Sequence, residues 1–219
     1  PIVTASNPTQ VNVVLTNACY CIATATSGCN AASVSITNVN FASISNATTC
    51  TSLNYNNYSS SISTNVGQGQ NIAITVSANA QYGGTTDICT VWFDWNLNGI
   101  FGDNSNEKYT LSGNGTYTGS IAIPLTANLG NTFMRIRLSA VSGVNYSTPC
   151  GTATYGEVED YAVTVVAPFT DASVSTIYSL GAIPKNYGVA HAVKVSINNT
   201  GSYTLNNLPV SLSVSGANR

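Results

Sequence analysis

Apolar and polar residues alternate along most of this chain, and the alternation is broken at short intervals by turn-forming residues. A period of two is the signature of a strand with one buried face. Val34, Ile36 and Phe41, separated by Ser, Thr and Asn, predict one such strand. Ile72, Ile74, Val76 and Ala78 alternate with Ala73, Thr75 and Ser77 and predict a second. Ile88 to Trp95 is almost entirely apolar, which predicts a central strand covered on both faces. Tyr109–Leu111 and Gly119–Ile123 flank a Gly-Asn-Gly turn at 113–115, and Pro124 ends that segment. From Phe133 to Leu138 the alternation is strict, with Met134, Ile136 and Leu138 inward and Arg135 and Arg137 outward. Gly156 to Val166 is a polar entry leading into a strand. Between these segments, Asn46–Cys50 and Asn54–Tyr58 read as polar loops, and Val66–Gln70 as a turn whose Gly67 and Gly69 accept positive φ. No stretch sustains a 3.6-residue period. The expected fold class is therefore all-β, a β-sandwich of jelly-roll or immunoglobulin-like type stapled by disulfides.

The same pattern divides the chain. Residues 1–17 carry one short alternation, Val11 to Leu15, and read as a linker or the end of a preceding module. Residues 18–166 hold the main run of strands, and 167–171 read as a linker. From 172 to 219 the pattern restarts at Val174 and Ile177, then Val189 to Ile197, then Val210, Leu212 and Val214. Those strands are too few for an independent core and read as a partial second β-sandwich module. The chain opens at Pro1 with no signal peptide pattern, as a piece of a larger exported protein or a processed form would.

Composition narrows the partners. Charged residues make up 6% of the chain, against about 25% in an average globular domain. With 43% apolar residues, the polar remainder is mostly Ser, Thr, Asn and Gly, which gives a neutral, hydrogen-bonding surface. Nucleic acid and anionic membranes both require basic clusters that this sequence lacks. The six cysteines (Cys19, Cys21, Cys29, Cys50, Cys89 and Cys150) fit an oxidising, extracellular compartment and are all assigned to disulfides. A short-range staple Cys29–Cys50 is the first choice and Cys21–Cys150 the next. A zinc site is disfavoured, because no CxxC pair exists and the single histidine, His191, lies far from the cysteines.

Asp94, Asn96 and Asn98 at every second position, followed by Gly99, match the first half of a calcium loop. Alternating oxygen-bearing side chains converge as the chain curls, and Gly permits the sharp turn. The second half departs from the EF-hand: Ser105 stands where a bidentate Glu belongs, Asp103 is a substitute, and Glu107 comes two residues late. The competing reading is an Asx-turn that caps a hairpin. If calcium binds, so few carboxylates place its affinity in the extracellular range, about 10⁻⁴–10⁻³ M. Six of the eight acids lie in two short segments, Asp94, Asp103 and Glu107 in one and Glu157, Glu159 and Asp160 in the other, which suggests one shared site. On a strand Glu157 and Glu159 face one way and Asp160 the other. The two glutamates either join the metal ligands or pair with Arg135 and Arg137 on a neighbouring strand. Catalysis is not expected: same-face neighbours on one strand do not flank a glycosidic bond from two sides, and His191 has no nucleophile beside it. The tyrosines at 55, 58, 82 and 146 (Tyr55, Tyr58, Tyr82, Tyr146) are a candidate ligand platform, since flat aromatic faces with few charges suit sugars.

Trp92-Phe93-Asp94-Trp95-Asn96-Leu97-Asn98-Gly99-Ile100-Phe101, then Arg135-Ile136-Arg137, Cys150-Gly151 and Gly156-Glu157-Val158-Glu159-Asp160-Tyr161 together resemble the GEVED domain, over roughly residues 18–166. That module recurs in large secreted and surface proteins of Bacteroidota, among them proteases and adhesins. The family loop is usually more acidic, so Asn98 and Ile100, which are included in the expected ligand set, lower its charge here. The resemblance implies a non-catalytic unit, secreted or on the cell surface, often exported by type IX secretion. Residues 168–219 resemble a bacterial cell-adhesion-related immunoglobulin-like repeat, through Val193 to Ser202 and Leu208 to Leu212. Two functions are expected from this. One is an adhesion module or calcium-stiffened spacer. The other is a carbohydrate- or protein-binding accessory module of a secreted hydrolase or protease. The partners implied are a glycan or cell-surface protein, neighbouring modules of the same polypeptide, and the secretion machinery, with no nucleic acid and no membrane insertion.

Overall fold

The structure is a computed structural model that describes residues 20–27, 34–51, 54–79, 87–178, 192–201 and 205–213. The segment Val11–Leu15, Cys19, Cys29, Tyr82 and His191 lie outside the described residues. Every regular element among the described residues is a strand. In chain order these are β1 (Ala23–Ser27), β2 (Ser35–Phe41), β3 (Ile44–Ala47), β4 (Tyr55–Asn57), β5 (Ser63–Gly67), β6 (Asn71–Asn79) and β7 (Asp87–Phe93). There follow β8 (Lys108–Asn114), β9 (Thr116–Ala122), β10 (Gly130–Ala140), β11 (Gly151–Tyr155), β12 (Glu157–Val166), β13 (Ala172–Tyr178) and β14 (Lys194–Asn199).

Two halves of one sheet fold against each other. The first runs β3-β2-β6-β9, and the second runs β8-β7-β10-β12. The β8–β9 hairpin joins them, and β4 and β5 both lie parallel to β12 at the far edge. The inward positions of the first half include Ile36, Val39, Phe41, Ile74, Val76, Tyr117 and Ile121. Those of the second include Val91, Phe93, Met134, Ile136, Leu138, Tyr161 and Val163. The Phe41 and Phe93 rings meet between the halves at 5.6 Å. The fold is thus a β-sandwich whose core is the alternating face of each strand.

The second half is also covered on its outer face. Parallel strands β1 and β11 form a small separate sheet, and Cys21–Cys150 closes over it with a sequence separation of 129. Ala23, Ala25 and Ala153 are buried there, and small side chains let this layer approach closely. This cover changes the fate of β10. Arg135 and Arg137 do point away from the core, yet both are buried, at 2% and 0% exposure. Alternation shows which face a side chain takes and says nothing of what covers that face.

Two glycines make the layering possible. Gly156 breaks between β11 and β12 at φ 122°, where an added Cβ would collide with the Leu138 carbonyl. Gly102 has φ 71° and passes directly over the Trp92 indole, 2.8 Å from where a Cβ would sit.

Several expectations need correction. Cys89 is a free, fully buried thiol rather than a disulfide partner. It sits on the inward face of β7 between Leu111 and Leu138, where it acts as a small apolar side chain. Cys21–Cys150 is formed, and Cys50 is also disulfide-bonded. The segment 54–58, expected as a loop, contains β4, and the stretch before the Gly67–Gln70 turn is β5. Both are short and polar, and they are held by parallel pairing to β12 rather than by a patterned face. Beyond residue 171, β13 and β14 pair antiparallel, while Val210 and Leu212 lie outside any described strand.

Candidate cation loop and the acids of β12

The loop after β7 begins where the buried strand emerges. Asp94 is fully buried and accepts from the backbone N–H groups of Asn98 at 3.1 Å and Gly99 at 2.8 Å, and from the Tyr20 hydroxyl at 2.8 Å. Asn96 Oδ1 accepts from Asn98 N–H and Asn98 Oδ1 from Ile100 N–H, at 3.0 and 2.8 Å. The loop therefore winds as successive Asx turns around the Asp94 carboxylate. Glu107 closes it: Oε1 accepts from Trp95 N–H at 2.9 Å and Oε2 from Asn104 N–H at 3.4 Å. Asp103 is exposed and accepts from the side-chain amides of Asn96, Asn98 and Asn104.

The Asp103 and Glu107 carboxyls face each other. Burial raises the Glu107 pKa and the neighbouring Asp103 raises it further, while the hydrogen bond from Glu107 lowers that of Asp103. Two carboxyls brought this close repel each other when both are charged, and a cation between them would relieve that repulsion. Among the described residues, no three Asp, Glu, His or Cys side chains converge to hold a metal alone. A hard cation here would lean on Asn96 and Asn98, whose amide oxygens each keep a second lone pair, and on the backbone carbonyl of Ile100.

Glu157 and Glu159 are not in this loop's neighbourhood. They occupy the inward face of β12, level with Leu138 and Ile136, whereas Asp94 lies with Tyr20 on the outer side. Glu157 spans the two halves of the sandwich, accepting from Ile36 N–H of β2 at 2.8 Å and from the Asn56 amide at 2.6 Å. Glu159 accepts from the Tyr161 hydroxyl at 2.7 Å, and its Oε1 has no partner among the described residues. Burial, aided by Glu157, pushes the Glu159 carboxyl up to about 7. Neither glutamate pairs with Arg135 or Arg137, because the arginines lie on the other face of the sheet. The single shared site expected from the clustering of acids is thus two separate arrangements.

Asp160 takes the position across from Arg135. Nε and Nη2 of Arg135 donate to its two oxygens at 2.8 and 2.7 Å, a bidentate pair at 2% and 6% side-chain exposure. Nη1 of Arg135 donates to the carbonyls of Cys21 and Pro149 at 2.7 and 2.9 Å. The guanidinium also lies 4.8 Å from the Phe101 ring centre, and Tyr20 stacks on the same ring at 4.3 Å. Arg137 donates to the carbonyls of Asn145 and Gly151 at 2.9 and 2.8 Å. Burial and the neighbouring Arg135 lower its pKa to about 10.

These observations put Asp94, Arg135 and the β12 acids in one layered unit. Residues 88–164 match the model of the GEVED domain family. The GEVED match runs from β7 to β12 and so contains the loop, both arginines and the acids, but leaves out β1 and Cys21 of the outer cover. A comparison with curated proteins finds no match for the chain.

Of the four tyrosines expected as a ligand platform, Tyr55, Tyr58 and Tyr146 lie among the described residues. Tyr55 donates its hydroxyl to Asp160 at 2.9 Å, and Tyr58 stacks on Tyr161 at 5.3 Å and packs against the core. Tyr146 lies on the 141–150 loop. Sequence reading missed Tyr20, which bridges Asp94 to Phe101, and the pairing of Asp160 with Arg135. The second was within reach: the parity that turns Glu157 and Glu159 inward turns Asp160 onto the arginine face.

Proposed function

We propose that this chain is a non-catalytic extracellular module of a large secreted or surface-attached bacterial protein, acting in adhesion or as a calcium-stiffened spacer. The observation that carries this reading is that the acids of both motifs serve as internal acceptors. Glu157 ties the two halves together, Asp160 neutralises Arg135, and Asp94 winds the loop. The disulfide and the GEVED match accord with an extracellular location. A bacterial host of the Bacteroidota, type IX export and an immunoglobulin-like neighbour from residue 172 belong to the same proposal.

Calcium would be held by Asp94, Asn96, Asn98, Asp103, Glu107 and the Ile100 carbonyl. When bound it would supply positive charge between Asp103 and Glu107 and stiffen the loop. Calcium at ten times its dissociation constant should stabilise the chain by about 1.4 kcal/mol. Thermal melting with calcium and with chelator measures this, and Asp103→Asn, at an exposed position, should erase the difference. No shift in millimolar calcium would remove the cation from the proposal. The non-catalytic reading has its own test. Glu157→Gln and Asp160→Asn should lower the melting temperature and alter any activity of the full-length protein only in proportion to its folded fraction. Loss of turnover at unchanged stability would overturn it.

A further inference from the structure

An open cleft of about 300 Å³ lies beside the loop, lined among others by Trp95, Ser105, Asn106, Glu107, Thr126 and Ala127. We propose that this cleft binds a single neutral sugar ring, with Ser105, Asn106 and Thr126 reading its hydroxyls.

The walls are fixed before any ligand arrives. Trp95 stacks on Phe93 at 4.3 Å, and its indole N–H donates to the Asn106 carbonyl at 3.0 Å. On the opposite side Ala127 N–H donates to the Pro124 carbonyl, Asn128 N–H to the Trp95 carbonyl, and the Gln68 amide to the Ala127 carbonyl. Loops 94–107 and 124–128 are thus bonded to each other and to the sandwich, so little ordering is left for a ligand to impose.

The chemistry of the lining selects the class. Among the described residues Glu107 is the one charged side chain in the cleft, and both its oxygens are engaged by backbone N–H groups. An anion finds no positive charge in the lining, and the one negative charge, on Glu107, already accepts from two backbone N–H groups and faces the loop. Ser105, Asn106 and Thr126 are exposed, and their hydroxyls and amide both donate and accept. Pro124 and Ala127 contribute apolar surface beside them. A ligand suited to this lining is neutral, compact and rich in groups that both donate and accept, with apolar C–H surface between them. A pyranose has those properties. The volume sits at the lower end for ligand pockets and suits one ring rather than a chain. The site is distinct from the tyrosines at 55, 58 and 146, and it does not depend on the loop holding calcium.

The test is an amide-resolved NMR titration of the full chain with glucose, galactose, mannose and N-acetylglucosamine, each to 50-fold above about 1 mM, the affinity range open to so few heavy atoms. At least one sugar should shift the Asn104–Glu107 and Thr126–Ala127 amides in a saturable way. Asn106→Ala and Thr126→Ala, both at exposed positions, should each weaken that binding about tenfold or more with melting unchanged. The proposal is overturned if no sugar shifts these amides, or if the shifts survive both substitutions. Stronger perturbation of the same amides by a sulfated sugar or by a neutral tripeptide would overturn it as well.

Discussion

Exchanging Arg135 for Met should cost the sandwich about 3–5 kcal/mol, the usual penalty for removing one partner from a buried ion pair. The reason is what is left behind. Asp160 would keep a charge at 6% side-chain exposure with the Tyr55 hydroxyl as its remaining side-chain donor among the described residues, and the carbonyls of Cys21 and Pro149 would lose their shared donor. Urea unfolding at neutral pH with the disulfide intact measures the loss. Asp160→Leu alone should be similarly damaging, since it strands the guanidinium instead. The double change Arg135→Met with Asp160→Leu should cost clearly less than the two single changes added together, because no charge is then stranded. A loss below about 1 kcal/mol for Arg135→Met would place it among surface ion pairs and contradict the buried arrangement.

Replacing Glu159 by Gln should remove most of the pH dependence of stability between mildly acidic and neutral solution. The folded protein holds this carboxyl at about 7 against an ordinary 4.5, mainly because burial penalises its charge. A group whose pKa rises on folding favours the folded state while protonated. Its stabilising contribution is therefore complete below 4.5 and is lost as the pH climbs through about 7. A tenfold change in a proton-binding constant corresponds to about 1.36 kcal/mol, so the loss amounts to about 3 kcal/mol. Gln stays neutral throughout and keeps an oxygen to accept from Tyr161. At pH 8 the variant should be more stable than the parent by up to about 3 kcal/mol, and at pH 4 the two should be nearly equal. Glu157, Glu107 and Asp87 are raised in the same direction, mainly by burial, and leave a residual slope of the same sign. Denaturant midpoints across the pH range decide this; a parent curve that is flat from pH 4 to 8 would contradict the raised carboxyl.

The fold was legible wherever a strand carries one apolar face. β2, β6, β7, β10 and β12 all show themselves in the alternation, and the Gly-Asn-Gly turn marks the β8–β9 hairpin. β1, β4, β5 and β11 do not, since each is short and polar or small-sided and owes its conformation to a parallel neighbour distant in sequence. The candidate site divides in the same way. Asp94, Asn96 and Asn98 are close in sequence, and their joint role in one loop follows from local spacing. The partners of Glu157, Glu159 and Asp160 depend on strand order and on what covers each face. Ile36 lies 121 residues from Glu157, and no local pattern reports such a contact. Cys89 shows the limit of counting: an even number of cysteines in the sequence does not oblige each of them to pair, and a thiol facing a core is simply small and apolar.

The bond between Cys21 and Cys150 also has a mechanical consequence. Tension entering the chain ahead of Cys21 and leaving after β12 would cross directly through the two sulfurs. β1 to β10 lie inside that covalent loop and are bypassed by the covalent path of the pull. The enclosed stretch, with a sequence separation of 129, represents roughly 400 Å of chain that cannot be drawn out while the bond holds. Only β11 and β12 lie on the loaded path, and β12 is flanked by neighbours on both of its edges. A spacer built this way would keep its length under load in an oxidising medium, and reducing Cys21–Cys150 would release the part of that stretch that the Cys50 disulfide does not also hold.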